Sequence, residues 1–134
     1  MKAKVHKLIS TAMLGLALFS HSLPAWAGAS KIDRVFISSN GTVSGSLPGA
    51  RYSGDDRQYI GCSHYRHSVN PNSFAWCSAQ DKAGKTVLCT SFDPRIVDAV
   101  KGMTDSSHLT FRLPNLYSQT CTDLTISNES IYLR

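Results

Sequence analysis

The run SFAWCSAQDKAGKTVLCTS, residues 73–91, reads as a hairpin. Two strand-like segments flank Asp81-Lys82-Ala83-Gly84, a four-residue turn that ends on glycine where a left-handed backbone is wanted. A hairpin here makes this a sheet protein, and the segments on either side fit. Upstream, IDRVFIS (32–38) alternates Ile32, Arg34 and Phe36 against Asp33, Val35 and Ile37. Asn40-Gly41 then signals a tight hairpin before TVSGSL (42–47). Pro48-Gly49 marks a further turn, and RQYIGCSHY (57–65) is another strand. Downstream come SHLTFRL (107–113), QTCTDLTIS (119–127) and a terminal SIYL (130–133), with the turn-rich PNLYSQ (114–119) between the first two.

One helix interrupts the strands. Asp93 suits its N-cap, Pro94 its first turn and Gly102 its end. Ile96, Ala99, Val100 and Met103 recur at helical spacing and give it one apolar face. The expected fold is α+β, mainly β. A single antiparallel sheet of six or seven short strands curls over one short helix, and disulfides staple it. There is no internal repeat and no low-complexity run.

The start of the chain indicates its destination. Lys2, Lys4 and Lys7 precede the apolar run LISTAMLGLALF (8–19), and Ala25-Trp26-Ala27 follows. This is the pattern of a secretory signal peptide (residues 1–27) cleaved after Ala27. The apolar run is shorter than the roughly 20 residues that span a bilayer. A single mature domain, residues 28–134, is expected in the periplasm or the medium, with no membrane insertion after cleavage. Cleavage removes three lysines and no acid, leaving eleven basic against nine acidic residues and a formal charge of +2. Those charges are scattered, whereas nucleic-acid binding needs a concentrated basic face. No nucleic acid is therefore expected as a partner.

Four cysteines, Cys62, Cys77, Cys89 and Cys121, lie in the mature region. In an oxidising compartment an even count reads as two disulfides, each worth roughly 2–4 kcal/mol. Three connectivities are possible. The reading leans to Cys62–Cys77 with Cys89–Cys121, because a direct cross-strand bridge, which Cys77 and Cys89 would form, demands tight local geometry.

The combination YIGC (59–62), CSAQDKAG (77–84), Cys89, the strand at 107–113, Cys121 and a final ISNESIYL resembles a group of small exported Gram-negative proteins. They are usually left as hypothetical proteins without an assigned activity. The resemblance implies export and a single domain, and it carries over no catalytic residue.

Candidate chemistry centres on GCSHYRHSVNPNSFAWC (61–77). Two thiolates and two imidazoles would suit tetrahedral zinc, but the spacing C-x-H-x2-H-x9-C fits no standard finger and export favours oxidised cysteines. A nitrogen-only copper or zinc site is the alternative, using His64 and His67 with His108 and a soft Met103. A small hydrolase is the second alternative. Serines, histidines and Asp55, Asp56, Asp93 and Asp105 are present, but there is no G-x-S-x-G elbow. The pair Asp55-Asp56 fits a solvated turn better than acid–base work. No phosphate-binding loop is present and no cofactor is implied.

Binding is the remaining class. Tyr and Arg supply much interface energy, and Tyr52, Tyr65, Arg66, Arg112 and Tyr117 lie in or near loops. The expected function is a non-enzymatic module that binds a protein or a small ligand, inhibitor-like or immunity-like. Its binding residues are Tyr65, Arg66 and His67 in one loop and Tyr52, beside Arg51, in a turn. Trp76, next to Cys77, is expected in the core. The partner's identity and the oligomeric state are left open.

Overall fold

The computed structural model describes residues 31–66, 68 and 72–133. The expected signal peptide and His67 lie outside the described residues. The elements run in the order β1 (Phe36–Ile37), β2 (Thr42–Ser46), α1 (Leu47–Arg51), β3 (Tyr59–Arg66), β4 (Ser73–Gln80), β5 (Thr86–Ser91), α2 (Pro94–Val100), β6 (His108–Arg112) and β7 (Asp123–Ser127), with a final 3-10 turn at Ser130–Tyr132.

The protein is mainly β, as expected, but the single sheet is corrected to two. β3, β4 and β5 form a three-stranded meander, and β1, β2, β6 and β7 form a separate four-stranded sheet in the order β1-β2-β6-β7. Every strand pair in both sheets is antiparallel. The cause is a long-range pairing. β2 takes β6 as its neighbour, from Thr42 opposite Arg112 to Ser46 opposite His108, so the chain between them builds its own sheet.

The hairpin at 73–91 forms as its turn predicts. The Asp81 carbonyl accepts the Gly84 N–H at 2.9 Å, and Gly84 sits at φ +86°. Gly41 takes φ +84° in the β1–β2 turn, and an added Cβ there would lie 2.3 Å from the Leu113 carbonyl oxygen. The strand expected at 32–38 shrinks to two residues. The Val35 N–H is taken by the side-chain oxygen of buried Gln58 at 2.9 Å, and the Asp33 carbonyl by the Ser46 N–H at 3.0 Å. This segment is held by crossing contacts instead of a ladder.

The single helix is corrected to two. Pro48-Gly49 is the first turn of α1, capped by Ser46, whose hydroxyl oxygen accepts the Gly49 N–H at 2.9 Å. An N-cap serine with proline in the first turn is the ordinary way to start a helix, and it outweighs the turn signal. α2 is the expected helix. Asp93 caps it by accepting the Arg95 N–H, and Ile96, Val97 and Val100 are buried.

α2 packs on β3 and β4 of one sheet and on β7 of the other. The inner faces of both sheets thus feed one core, with Val43, Leu109, Phe111, Ala75, Cys77 and Cys89 almost wholly inaccessible. Two disulfides close it, Cys62–Cys77 and Cys89–Cys121. The pairing is the one the sequence favoured, but its reason is corrected. Cys62 and Cys77 are directly opposed in the β3–β4 register, with Cα atoms 4.0 Å apart, so the chain does use a direct cross-strand bridge. Cys121 reaches β5 because residues 119–121 run beside it, parallel through a Thr90–Thr120 bridge. The segment expected as one strand at 119–127 is therefore split between two neighbours. The terminal SIYL forms the 3-10 turn in place of a strand.

Candidate aromatic face of the three-stranded sheet

Alternate residues of a strand point to opposite faces. On β3–β4–β5 the inner face is small and buried: Ile60, Cys62, Ala75, Cys77, Ala79, Val87, Cys89 and Ser91. The outer positions follow from the register. β3 contributes Tyr59, Gly61, Ser63 and Tyr65, β4 contributes Phe74, Trp76, Ser78 and Gln80, and β5 contributes Thr86, Leu88 and Thr90, with Phe92 just beyond its end. None of these twelve positions is Asp, Glu, Lys, Arg or His.

Large apolar side chains dominate that face. Tyr59 and Tyr65 are 44% and 46% exposed, Leu88 54% and Phe92 70%, while Phe74 and Trp76 are half-buried. Trp76 is thereby corrected. It belongs to the outer face, because its neighbours Ala75 and Cys77 are wholly buried and strand residues alternate between faces. Phe74 sits at the centre of the aromatic cluster. Its ring centroid is 5.4 Å from Tyr65 on one side, 5.7 Å from Phe92 on the other and 5.7 Å from Trp76 along its own strand. Tyr65, Phe74 and Phe92 therefore form a row from β3 over β4 to the residue just beyond β5, each ring tilted 41–45° to the next.

The exposed apolar area of this face is about 500 Å², taking roughly 200 Å² for a whole aromatic side chain. Patches of that size on a monomer are often functional. The four-stranded sheet differs. Its outer face carries Thr42, Ser44, Thr110, Thr125 and Ser127 with His108, Arg112 and Asp123, and its exposed aromatic, Phe36, is confined to the β1 edge. A hydroxyl-rich face is at ease in water, and an aromatic one is not.

The residues singled out from the sequence fall in several places. Tyr65 belongs to the aromatic row, and Arg66 is exposed at the end of β3. Tyr52 caps α1 and lines a shallow depression of about 100 Å³ with Arg51, Asp105, Ser106 and Tyr132. That volume is well below the roughly 300–1,000 Å³ of ligand pockets. Tyr117 is almost fully exposed, and Arg112 projects from β6 on the other sheet.

The metal ligands are dispersed over separate elements. All four cysteines are in disulfides, so the thiolate zinc site is excluded. His64 is exposed on β3. His108 lies on β6, its Nε2 3.3 Å from the Asp33 carboxylate and its ring stacked on Tyr132 at 5.1 Å. Burial pushes the His108 pKa down, against the opposing pull of Asp33, so the ring is held largely neutral. Met103 packs against the core. Among the described residues, no three His, Cys, Asp or Glu side chains are grouped to hold a metal ion.

The hydrolase candidates are engaged in structure. Ser46 faces His108 across the β2–β6 register, but its hydroxyl donates to the Asp33 carbonyl at 3.2 Å while accepting the Gly49 N–H. The Asp55 carboxylate is enclosed by its own loop. It accepts from the Gln58 side chain, the Gln58 and Arg57 N–H groups and the Ser53 hydroxyl. Those bonds, the Gln58 side chain foremost, hold its pKa well below the usual carboxylate range. Asp56 turns the chain at φ 56°. The pair is the structural turn that the sequence favoured, and Asp93 is a helix cap paired with Arg95.

Two disulfides fit an oxidising compartment, and no helix among the described residues is long and apolar enough to cross a membrane. The aromatic face itself was missed in the sequence. Its signal was present in SFAWCSAQ, where Ala75, Cys77 and Ala79 alternate with Phe74 and Trp76. No protein-family model matches the chain, and neither a curated protein nor a solved structure is found to be similar to it.

Proposed function

We propose that the protein is a non-enzymatic, disulfide-stapled binding module of the periplasm or medium, exported on a signal peptide cleaved after Ala27. It belongs with the small four-cysteine exported proteins of Gram-negative bacteria. It holds a protein or small-ligand partner through the outer face of β3–β4–β5. The observation that carries this reading is the uncharged, largely aromatic apolar surface of about 500 Å² on that face. Such an area in water is costly unless something covers it.

Cys62, Cys77 and Cys89 all lie on the inner side of the same three strands, so both disulfides brace the platform from behind. A surface set before the partner arrives loses little conformational freedom on binding. Tyr65 remains a binding residue in this reading, and Arg66 forms a charged rim. The Tyr52 depression lies among other residues and is not part of the platform.

Hydroxyl-radical footprinting tests this on the purified, unreduced protein, with and without soluble cell-envelope extract. Protection of Tyr65, Phe74, Trp76 and Phe92 is the expected result. Protection confined to Tyr52 and Tyr132, or no protection, refutes it.

A further inference from the structure

We propose that the row Tyr65–Phe74–Phe92 is a stacking site for a linear, neutral, β-linked glycan. The inference rests on the outer face of β3–β4–β5 being the binding surface, and it names the ligand class. Two features of that face select it.

The first is spacing. The rings step across the sheet by 5.4 and 5.7 Å, because Tyr65 is on β3, Phe74 on β4 and Phe92 just beyond the end of β5. One pyranose unit advances a β-1,4-linked chain by a closely similar length. Such a chain laid across the strands brings successive sugars to successive rings, whose planes turn by 41–45° from one to the next. The C–H-bearing faces of pyranoses are weakly positive, and aromatic faces are negative, so the contact is attractive as well as apolar.

The second is charge. Single-stranded nucleic acids also stack on aromatic rows, but the proteins that hold them line the strand with a basic groove. No outer position of these three strands is basic or acidic, so a neutral ligand is complementary and a polyanion is not. Between the rings and the far end of the sheet stand Ser63, Ser78 and Gln80, uncharged groups able to meet sugar hydroxyls.

The test is calorimetric titration of the purified, unreduced protein with tetramers of β-1,4-linked N-acetylglucosamine and of β-1,4-linked glucose. At least one is expected to bind, with little dependence on salt. Phe92→Ala should weaken binding about tenfold, the loss of one stacking contact, and Phe92→Tyr should retain it. Phe92 is 70% exposed, so an unchanged melting curve shows that the alanine variant is folded. The proposal is overturned if neither tetramer binds, or if binding survives both Phe92→Ala and Tyr65→Ala. Steep salt dependence with tighter binding to an oligonucleotide, or self-association abolished by Phe92→Asp, also overturns it. If neither tetramer binds but envelope extract still protects the same rings, the glycan falls and the binding surface stands. If both fail, both readings fall together.

Discussion

Replacing Cys89 and Cys121 together by alanine is expected to destabilise the protein more than the same change at Cys62 and Cys77. The bridges close separations of 32 and 15 residues. On the chain-entropy model those loops are worth about 3.7 and about 3.0 kcal/mol at 25 °C. All four cysteines are buried, between 0% and 5% exposed, so the lost packing is similar in the two variants and nearly cancels from the comparison. What does not cancel is the segment that Cys121 carries. The Thr90 N–H donates to the Gln119 carbonyl at 2.7 Å, and the Cys121 N–H to the Thr90 carbonyl at 3.1 Å. Without the bridge that segment is free to leave β5, and two backbone hydrogen bonds of about 1 kcal/mol each go with it. The expected gap between the variants is therefore about 2–3 kcal/mol. For a domain of this size it corresponds to roughly 10–20 °C in Tm. Urea unfolding and thermal melts of both variants against the parent measure it. Equal loss, or greater loss from the Cys62–Cys77 variant, refutes the reasoning. Failure of only the Cys89–Cys121 variant to fold agrees with it.

Two glycines should behave oppositely. An alanine Cβ at position 49 would lie 2.0 Å from the Asp33 carbonyl oxygen and 2.6 Å from the Ser46 hydroxyl, so Gly49→Ala should cost about 3 kcal/mol or more in urea unfolding. At Gly61 nothing lies within 4 Å of the added carbon, and Gly61→Ala should stay within about 0.5 kcal/mol of the parent, which a matched unfolding curve checks. Asp55 sets part of the acid sensitivity. Because its folded pKa lies below the unfolded one, its contribution is present above the roughly 3.9 of a free aspartate and is lost as pH falls through the folded value. Asp55→Asn should thus be less stable than the parent at neutral pH, and the gap should narrow on acidification below about 3.9. A gap that stays constant in denaturant unfolding across that range sinks the claim.

Local features were legible in the sequence. Gly84 and Asn40-Gly41 mark turns whose glycines do adopt positive φ, and Asp93-Pro94 marks the start of α2 through its capping chemistry. Such signals are written in adjacent residues. The division into two sheets was not legible, because it depends on β2 choosing β6 over nearer strands. α1 was hidden by ambiguity. Pro48-Gly49 serves a turn or a first helical turn equally well, and the Ser46 cap decides between them. The candidate site was half-legible. Tyr65 stands out among the loop aromatics, but Trp76, beside Cys77, reads as a core residue. Here the inner positions of β4, on the strand that packs against α2, are the small residues Ala75, Cys77 and Ala79, all wholly buried, and the large ones face outward. Alternation told which residues share a face, but not which face was covered.

The order of the strands also dictates an order of assembly. β3, β4 and β5 are consecutive, so their sheet can close as soon as that stretch of chain is free, and Cys62 meets Cys77 within it. The other sheet has no such option. β2 must wait for β6, which follows only after the whole meander and α2, and Cys89 must wait for Cys121. In a chain that emerges N-terminus first, non-local pairings of this kind form slowly. On sequence separation alone, then, the meander is the part of the fold able to close first, and the Cys89–Cys121 bond joins segments that meet only once the later strands are present.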